Sequence, residues 1–177
     1  MKPKIAVFCV GSKLMLDDGL GTAVYEELSE NYIFPDNVTI HDVGCMSMDM
    51  ISEVDRNDVL ITVDAVDGTG EEPGTLFEFS PDDMEVKKGA TASLHELTLA
   101  DLFETAKLLG YSAEGKCLGM QIDNMSPAYA VIGLTPKVAE ALPSLVDLVL
   151  AELYSRGVRP VSRKTGEEIG YGWHHGG

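Results

Sequence analysis

Residues 4–21 read Lys4-Ile5-Ala6-Val7-Phe8-Cys9-Val10-Gly11-Ser12-Lys13-Leu14-Met15-Leu16-Asp17-Asp18-Gly19-Leu20-Gly21, and their order decides the fold. The apolar run that ends at Val10 reads as a buried strand, and Gly11 closes it. Gly11 to Gly21 reads as a loop holding two adjacent acids. A helix to about Tyr32 follows, because Leu20, Val24 and Leu28 recur four residues apart and share one face.

Working outward, the same alternation repeats. Pro35-Asp36-Asn37 makes a turn, and Val38 to Val43 reads as a second strand. A short helix is predicted from Met46 to Val54 and a third buried strand from Asp58 to Val66. Gly74 to Phe79 reads as a strand at the sheet edge. Ser93-Leu94-His95-Glu96 fits a capping box, in which serine and glutamate satisfy free amides at a helix start. The helix that follows carries Leu99, Leu102, Phe103 and Ala106, and Gly110 stops it. Lys116 to Asp123 is a further strand. Thr135 caps the last helix, with Pro136 as its first residue. Its stripe is Val138, Leu142, Leu145, Val149 and Leu153, Pro143 is expected to kink it, and Gly157 ends it. Strands alternating with helices predict a three-layer α/β/α sandwich, a mostly parallel sheet of about five strands with helices on both faces. The domain is expected over residues 1–161, with a C-terminal tail over 162–177.

Composition narrows the function classes. A chain of 177 residues fits one domain. Its net charge of −16 argues against nucleic acid or an anionic membrane as partner, because both require clustered Lys and Arg. No apolar run approaches the ~18 residues that span a bilayer. The first run is too short for a signal peptide and lacks a small-residue cleavage site, so a cytoplasmic location is expected. Cys9, Cys45 and Cys117 have no metal-binding spacing, and Cys9 and Cys117 read as buried thiols.

In an open α/β sheet, ligands bind beyond the carboxyl ends of the strands, where strand order reverses. Asp17 and Asp18 follow the first strand, Asp64 ends the third, and His95 begins a later helix. If the first and third strands are neighbours, these groups share one crevice. Two carboxylates and an imidazole suffice to ligate a divalent metal with positions left open. Each also has a plainer reading: Asp18 as a helix cap, Asp64 as a turn former, His95 as a surface residue. The loop is no phosphate cradle, since it lacks G-x-G-x-x-G and the P-loop ending. A serine nucleophile elbow is absent as well. His41 is expected to face solvent or a polar neighbour, and His174 and His175 to lie in a mobile tail.

Taken in order, these residues resemble the hydrogenase maturation protease family. Gly11-Ser12-x-Leu14-x-x-Asp17-Asp18-Gly19-x-Gly21 is similar to the family's opening signature. Val63-Asp64-Ala65, Pro73-Gly74-Thr75, Ser93-Leu94-His95-Glu96-Leu97 and Ile132-Gly133-Leu134-Thr135-Pro136 follow in the family's order. The resemblance implies an endopeptidase that removes the C-terminal extension of a nickel–iron hydrogenase large-subunit precursor after nickel insertion. It puts the metal-contacting positions on Asp18, Asp64 and His95, with nickel supplied by the precursor. It puts a substrate-recognition loop at Asp42 and Gly44. Two positions depart from the family: Ser12 replaces the usual asparagine, and Asp42-Val43-Gly44-Cys45 replaces a loop of the Asp-Gly-Gly-Thr type. A non-catalytic nickel-sensing binding protein on the same fold is the alternative. A monomer is expected.

Overall fold

The structure is a computed structural model that describes residues 2–44, 47–81, 99–124 and 127–170. Its centre is a five-stranded sheet. In chain order, β1 is Ile5–Val10, β2 Tyr32–Ile33, β3 Val38–Val43, β4 Val59–Val66, β5 Leu76–Phe79, β6 Glu114–Gln121 and β7 Val161–Ser162. The sheet order is β3-β1-β4-β6-β5. The first four strands are parallel, and β5 runs antiparallel along β6 as an edge strand.

The helices are α1 (Leu20–Asn31), α2 (Ile51–Arg56), α3 (Leu99–Leu108) and α4 (Pro136–Ser155). The alternating residues of β1 explain how they divide. Ile5, Val7 and Cys9 point into one core with Leu20, Val24 and Leu28 of α1 and Leu145, Val149 and Leu153 of α4. Ala6, Phe8 and Val10 point into the other, with Val54 of α2 and Leu102, Phe103 and Ala106 of α3. Every residue of β1 is buried, which is why its sequence shows an unbroken apolar run instead of alternation. The expected three-layer α/β/α architecture is therefore the observed one. Each fully buried leucine of α1 contributes about 1.5–3 kcal/mol through burial, so the stripe alone pins the helix to the sheet. Gly21 fixes how closely: a Cβ there would lie 2.2 Å from the carbonyl oxygen of Val10, so α1 leans directly on the end of β1.

Several local expectations need adjusting. Leu16–Gly19 is a 3-10 turn inside the segment read as loop. The short helix read from Met46 is a 3-10 turn at Met48–Met50 leading into α2; Met46 itself lies outside the described residues. The strand read from Lys116 starts at Glu114 and ends at Gln121. Helix α4 runs unbroken across Pro143. The amide that proline lacks would have bonded the carbonyl of Ala139, on the exposed side of the helix, where water can satisfy that oxygen. The capping box at Ser93 and the tail residues His174 and His175 lie outside the described residues.

The segment after α4 has a defined place. β7 pairs antiparallel with β2, and Ile169 is buried in the same core as α1 and α4. Ile169 also donates its amide to the carbonyl of Pro160 at 2.9 Å.

Candidate functional site

From β1 the chain crosses through α1 to β3 on one side, then returns through α2 to β4 on the other side of β1. The strand order therefore reverses between β1 and β4, and a crevice opens beyond their carboxyl ends. Asp18 follows β1 and Asp64 lies toward the carboxyl end of β4, the two strands that border this crevice. The 3-10 turn carrying Asp18 packs against β4. Cys9 is level with Val63 in the β1–β4 register, so Asp64 stands one step further toward the carboxyl edge.

Asp18 is held from below. Gly11 has φ +138°, and a Cβ built on it would lie 1.9 Å from the carbonyl oxygen of Asp18. Any side chain there would push the acid off the strand end, so the glycine is a geometric requirement. The Ser12 amide donates to Asp18 Oδ2 at 3.0 Å. Burial pushes the Asp18 carboxyl above the usual aspartate range, and the Ser12 hydrogen bond opposes that only in part. A half-buried carboxylate of this kind gains from a cation placed against it.

Asp64 lies on the α2–α3 side of the sheet, in the same alternation as Leu60 and Thr62. Its Oδ1 accepts the Ala65 amide at 2.8 Å. The residue across from it on β6 is Gly119. A Cβ there would meet the Val66 side chain at 2.5 Å and the Asp64 carbonyl oxygen at 3.3 Å, so β6 must be bare beside the acid. His95, the third expected member, lies outside the described residues; the chain resumes at α3, on the same side of the sheet as Asp64. Among the described residues no three His, Cys, Asp or Glu side chains form a metal site. The two acids are the part of the expected set that falls within them, and hard oxygen donors plus an imidazole suit a divalent transition metal.

Asp17 does different work from its neighbour. It is fully buried. Its Oδ2 accepts the amides of Asp123 at 3.0 Å and Asn124 at 2.8 Å, and its Oδ1 accepts the Thr135 amide at 2.8 Å. The Thr135 hydroxyl also donates to this carboxylate, so Thr135 spends its side chain on Asp17 and makes no side-chain cap on α4. One carboxylate thus knots the loop after β1, the loop after β6 and the start of α4. The knot also holds Leu16 at φ +53°, a left-handed conformation that costs a residue of this shape roughly 1–2 kcal/mol. Sequence reading grouped Asp17 with Asp18 and missed this role.

Two further tethers frame the crevice. Asp42 of β3 accepts the Thr22 hydroxyl at 3.0 Å, which ties the expected recognition loop to the first turn of α1. Gly44 beyond it is exposed, with open space where a side chain would be. Buried Gln121, at the end of β6, accepts from the Thr69 amide and hydroxyl and donates to Asp67 at 3.2 Å and to the Ile122 carbonyl at 2.8 Å. It fastens the loop that follows Asp64. His41 lies near Phe8, ring centroids 5.0 Å apart, with Nε2 3.0 Å from the Thr39 hydroxyl. Cys9 and Cys117 are buried free thiols, each pushed up to about 12 mainly by burial, so neither offers a nucleophile.

A family model described as hydrogenase maturation protease matches residues 22–152. The chain belongs to the hydrogenase maturation protease family. The hydrogenase 2 maturation protease of Escherichia coli is 30% identical over 162 residues, covering 91% of this chain and 97% of that protein. The hydrogenase expression/formation protein HupM of Azotobacter chroococcum is 33% identical, covering 92% and 77%. In three dimensions the chain resembles the hydrogenase maturating endopeptidase HybD from E. coli with a TM-score of 0.81, 30% identity, and coverage of 93% and 99%. Membership makes the protein a hydrolase of peptide bonds. The E. coli relative and the E. coli structural neighbour are named as a protease and an endopeptidase, which does not favour the non-catalytic alternative.

Proposed function

We propose that this maturation protease removes the C-terminal extension of a nickel–iron hydrogenase large-subunit precursor once nickel has been inserted, and that it does so in the cytoplasm. Asp18, Asp64 and His95 engage the precursor's nickel, which is part of the substrate. The observation that supports this reading is the strand order, which puts the segment carrying Asp18 after β1 and Asp64 near the carboxyl end of neighbouring β4, at the reversal where an α/β sheet binds ligands, in a chain of this family. Relatives that carry the family name are described as acting on, or in the formation of, hydrogenases.

The residues divide the task. Asp18 and Asp64 supply negative charge to the ion, and His95 a nitrogen donor. The precursor's own ligands complete the coordination. Nickel held against Asp18, Asp64 and His95 would polarise the scissile carbonyl or activate a water beside it. The tethers through Asp17, Asp42 and Gln121 keep the loops around the crevice at fixed positions, so the carboxylates need not reorganise when the precursor arrives. Asp42, near the end of edge strand β3, and Gly44, just beyond that strand, read the precursor's identity.

The test is cleavage of purified precursor, with and without nickel, followed by intact mass. Loss of the extension from the nickel-loaded form alone supports the reading. His95→Ala, Asp18→Ala and Asp64→Ala should each abolish the cut in a folded protein. Equal cleavage of the nickel-free precursor, or full activity of folded His95→Ala, refutes it.

A further inference from the structure

Next to Asp18 lies an apolar surface that neither the fold nor the metal site uses. Leu14 is 54% exposed, Ile132 67% and Tyr129 83%, and Met15 and Val131 are exposed beside them. These side chains come from two loops, the one after β1 and the one before α4. The loops are joined as a parallel bridge: the Leu16 amide donates to the Val131 carbonyl at 2.9 Å, and the Val131 amide to the Leu14 carbonyl at 2.8 Å. The Asp17 carboxylate holds both loops from beneath. The patch is therefore displayed on a braced platform. The other exposed large apolar side chains among the described residues, Ile33, Met48, Leu108 and Leu109, lie on other elements.

Exposed apolar side chains gathered on two loops that are hydrogen-bonded to each other mark an interaction site. The charge around this one selects its partner. Two exposed acids stand by these loops, Asp42, whose charge acts on Lys13 beside Leu14, and Asp123, whose amide is bonded to Asp17, within a chain of net charge −16. The nearby cations are already engaged, Lys13 by Glu26 at 2.9 Å and Lys137 by Glu72 at 3.1 Å.

We infer that Leu14, Met15, Tyr129, Val131 and Ile132 form a docking surface for an extended precursor segment that carries apolar side chains flanked by Lys or Arg. This rests on the function proposed above. Met15 is three residues from Asp18, a span of at most about 10 Å along the chain. The near end of the surface therefore lies within about three residues of extended chain from Asp18. A second copy of the chain fits the location less well, since two strongly acidic molecules would meet acid against acid.

The test uses the full-length protein and purified nickel-loaded precursor. Leu14→Glu, Ile132→Glu and their double variant are compared with Leu108→Glu, a control on an exposed residue of α3. Binding is measured by calorimetry and cleavage by intact mass over a range of precursor concentration. Each single variant should raise KM and Kd about tenfold with kcat unchanged, and the control should change neither. Adding a lysine to the precursor within three residues of the scissile bond should recover much of the loss for Ile132→Glu. Cleavage by the parent together with unchanged KM in the double variant overturns the docking surface and leaves the proposed function standing. A parent that neither binds nor cuts the precursor overturns both. A parent that sediments as a dimer and becomes monomeric in the double variant assigns the patch to a second copy and overturns the inference.

Discussion

Replacing Asp17 by asparagine changes one atom in a buried knot, and the outcome separates scaffold from chemistry. The carboxylate accepts three backbone amides and a hydroxyl, at 2.8–3.0 Å. Asparagine offers one oxygen in place of two. Its better orientation keeps that oxygen on the amides of Asp123 and Asn124, so the NH₂ group faces the Thr135 amide and a donor opposes a donor. One hydrogen bond to a charged acceptor, worth about 1.5–3 kcal/mol, is lost, and the two that remain lose their charged acceptor. The net destabilisation should be about 2 kcal/mol. For a domain of this size that lowers Tm by roughly 4–8 °C. Urea unfolding followed by circular dichroism should show a lower midpoint with an unchanged m value. Thr135→Val, which removes only the hydroxyl, should cost about 1 kcal/mol. An Asp17→Asn protein within about 0.5 kcal/mol of its parent would refute the view that this carboxylate ties the loops together.

Asp18→Asn should behave in the opposite way. Burial disfavours the charged form of Asp18, so above its folded pKa the native state carries a penalty that asparagine lacks. The metal-free variant should be at least as stable as the parent at neutral pH, with the advantage shrinking as acid protonates Asp18; a clear loss of stability at neutral pH contradicts this. Processing should nonetheless disappear, as read by intact mass. Cys9 and Cys117 should resist iodoacetamide in the folded protein at mildly alkaline pH and react fully in urea, because burial holds both thiols near 12; rapid labelling of either in the native state would show that the core opens. Gln121→Ala should loosen the loop after Asp64 and raise hydrogen exchange at Thr69 with little change in β6; unchanged exchange at Thr69 would remove Gln121 as its anchor.

The central architecture was legible because its signals are local. An unbroken apolar run ending in glycine, a leucine–valine–leucine stripe at helical spacing, and a threonine–proline helix start each sit within a few residues. Their alternation then dictates a parallel sheet, and the sheet dictates where ligands bind. The placement of Asp18 just after β1 and of Asp64 near the end of β4 followed from that rule and from the family's motif order. What was hidden is long-range. The partners of Asp17 are more than a hundred residues away in sequence, at Asp123, Asn124 and Thr135, and nothing local distinguishes a buried anchor from an adjacent acid of the crevice. Thr135 reads as a side-chain cap for the same reason, since its competing acceptor is invisible along the chain. The ribbon of β2 with β7 was missed because each strand has only two residues, too few for periodicity.

That ribbon fixes a polarity for handling the protein. α1 leaves the crevice and runs back along β1, so Tyr32 lies at the opposite pole of the sheet, and β7 is bound to it there. Residues just before β1 lie at that pole too: the Ile5 amide bonds the Asn37 carbonyl, and Lys4 bonds Asp58. Both flanks of the described fold therefore depart from the pole remote from Asp18. Tethering the protein to a solid support through either flank presents the crevice to solution, and joining the two flanks by a linker would make a circular permutant whose new ends can be opened elsewhere.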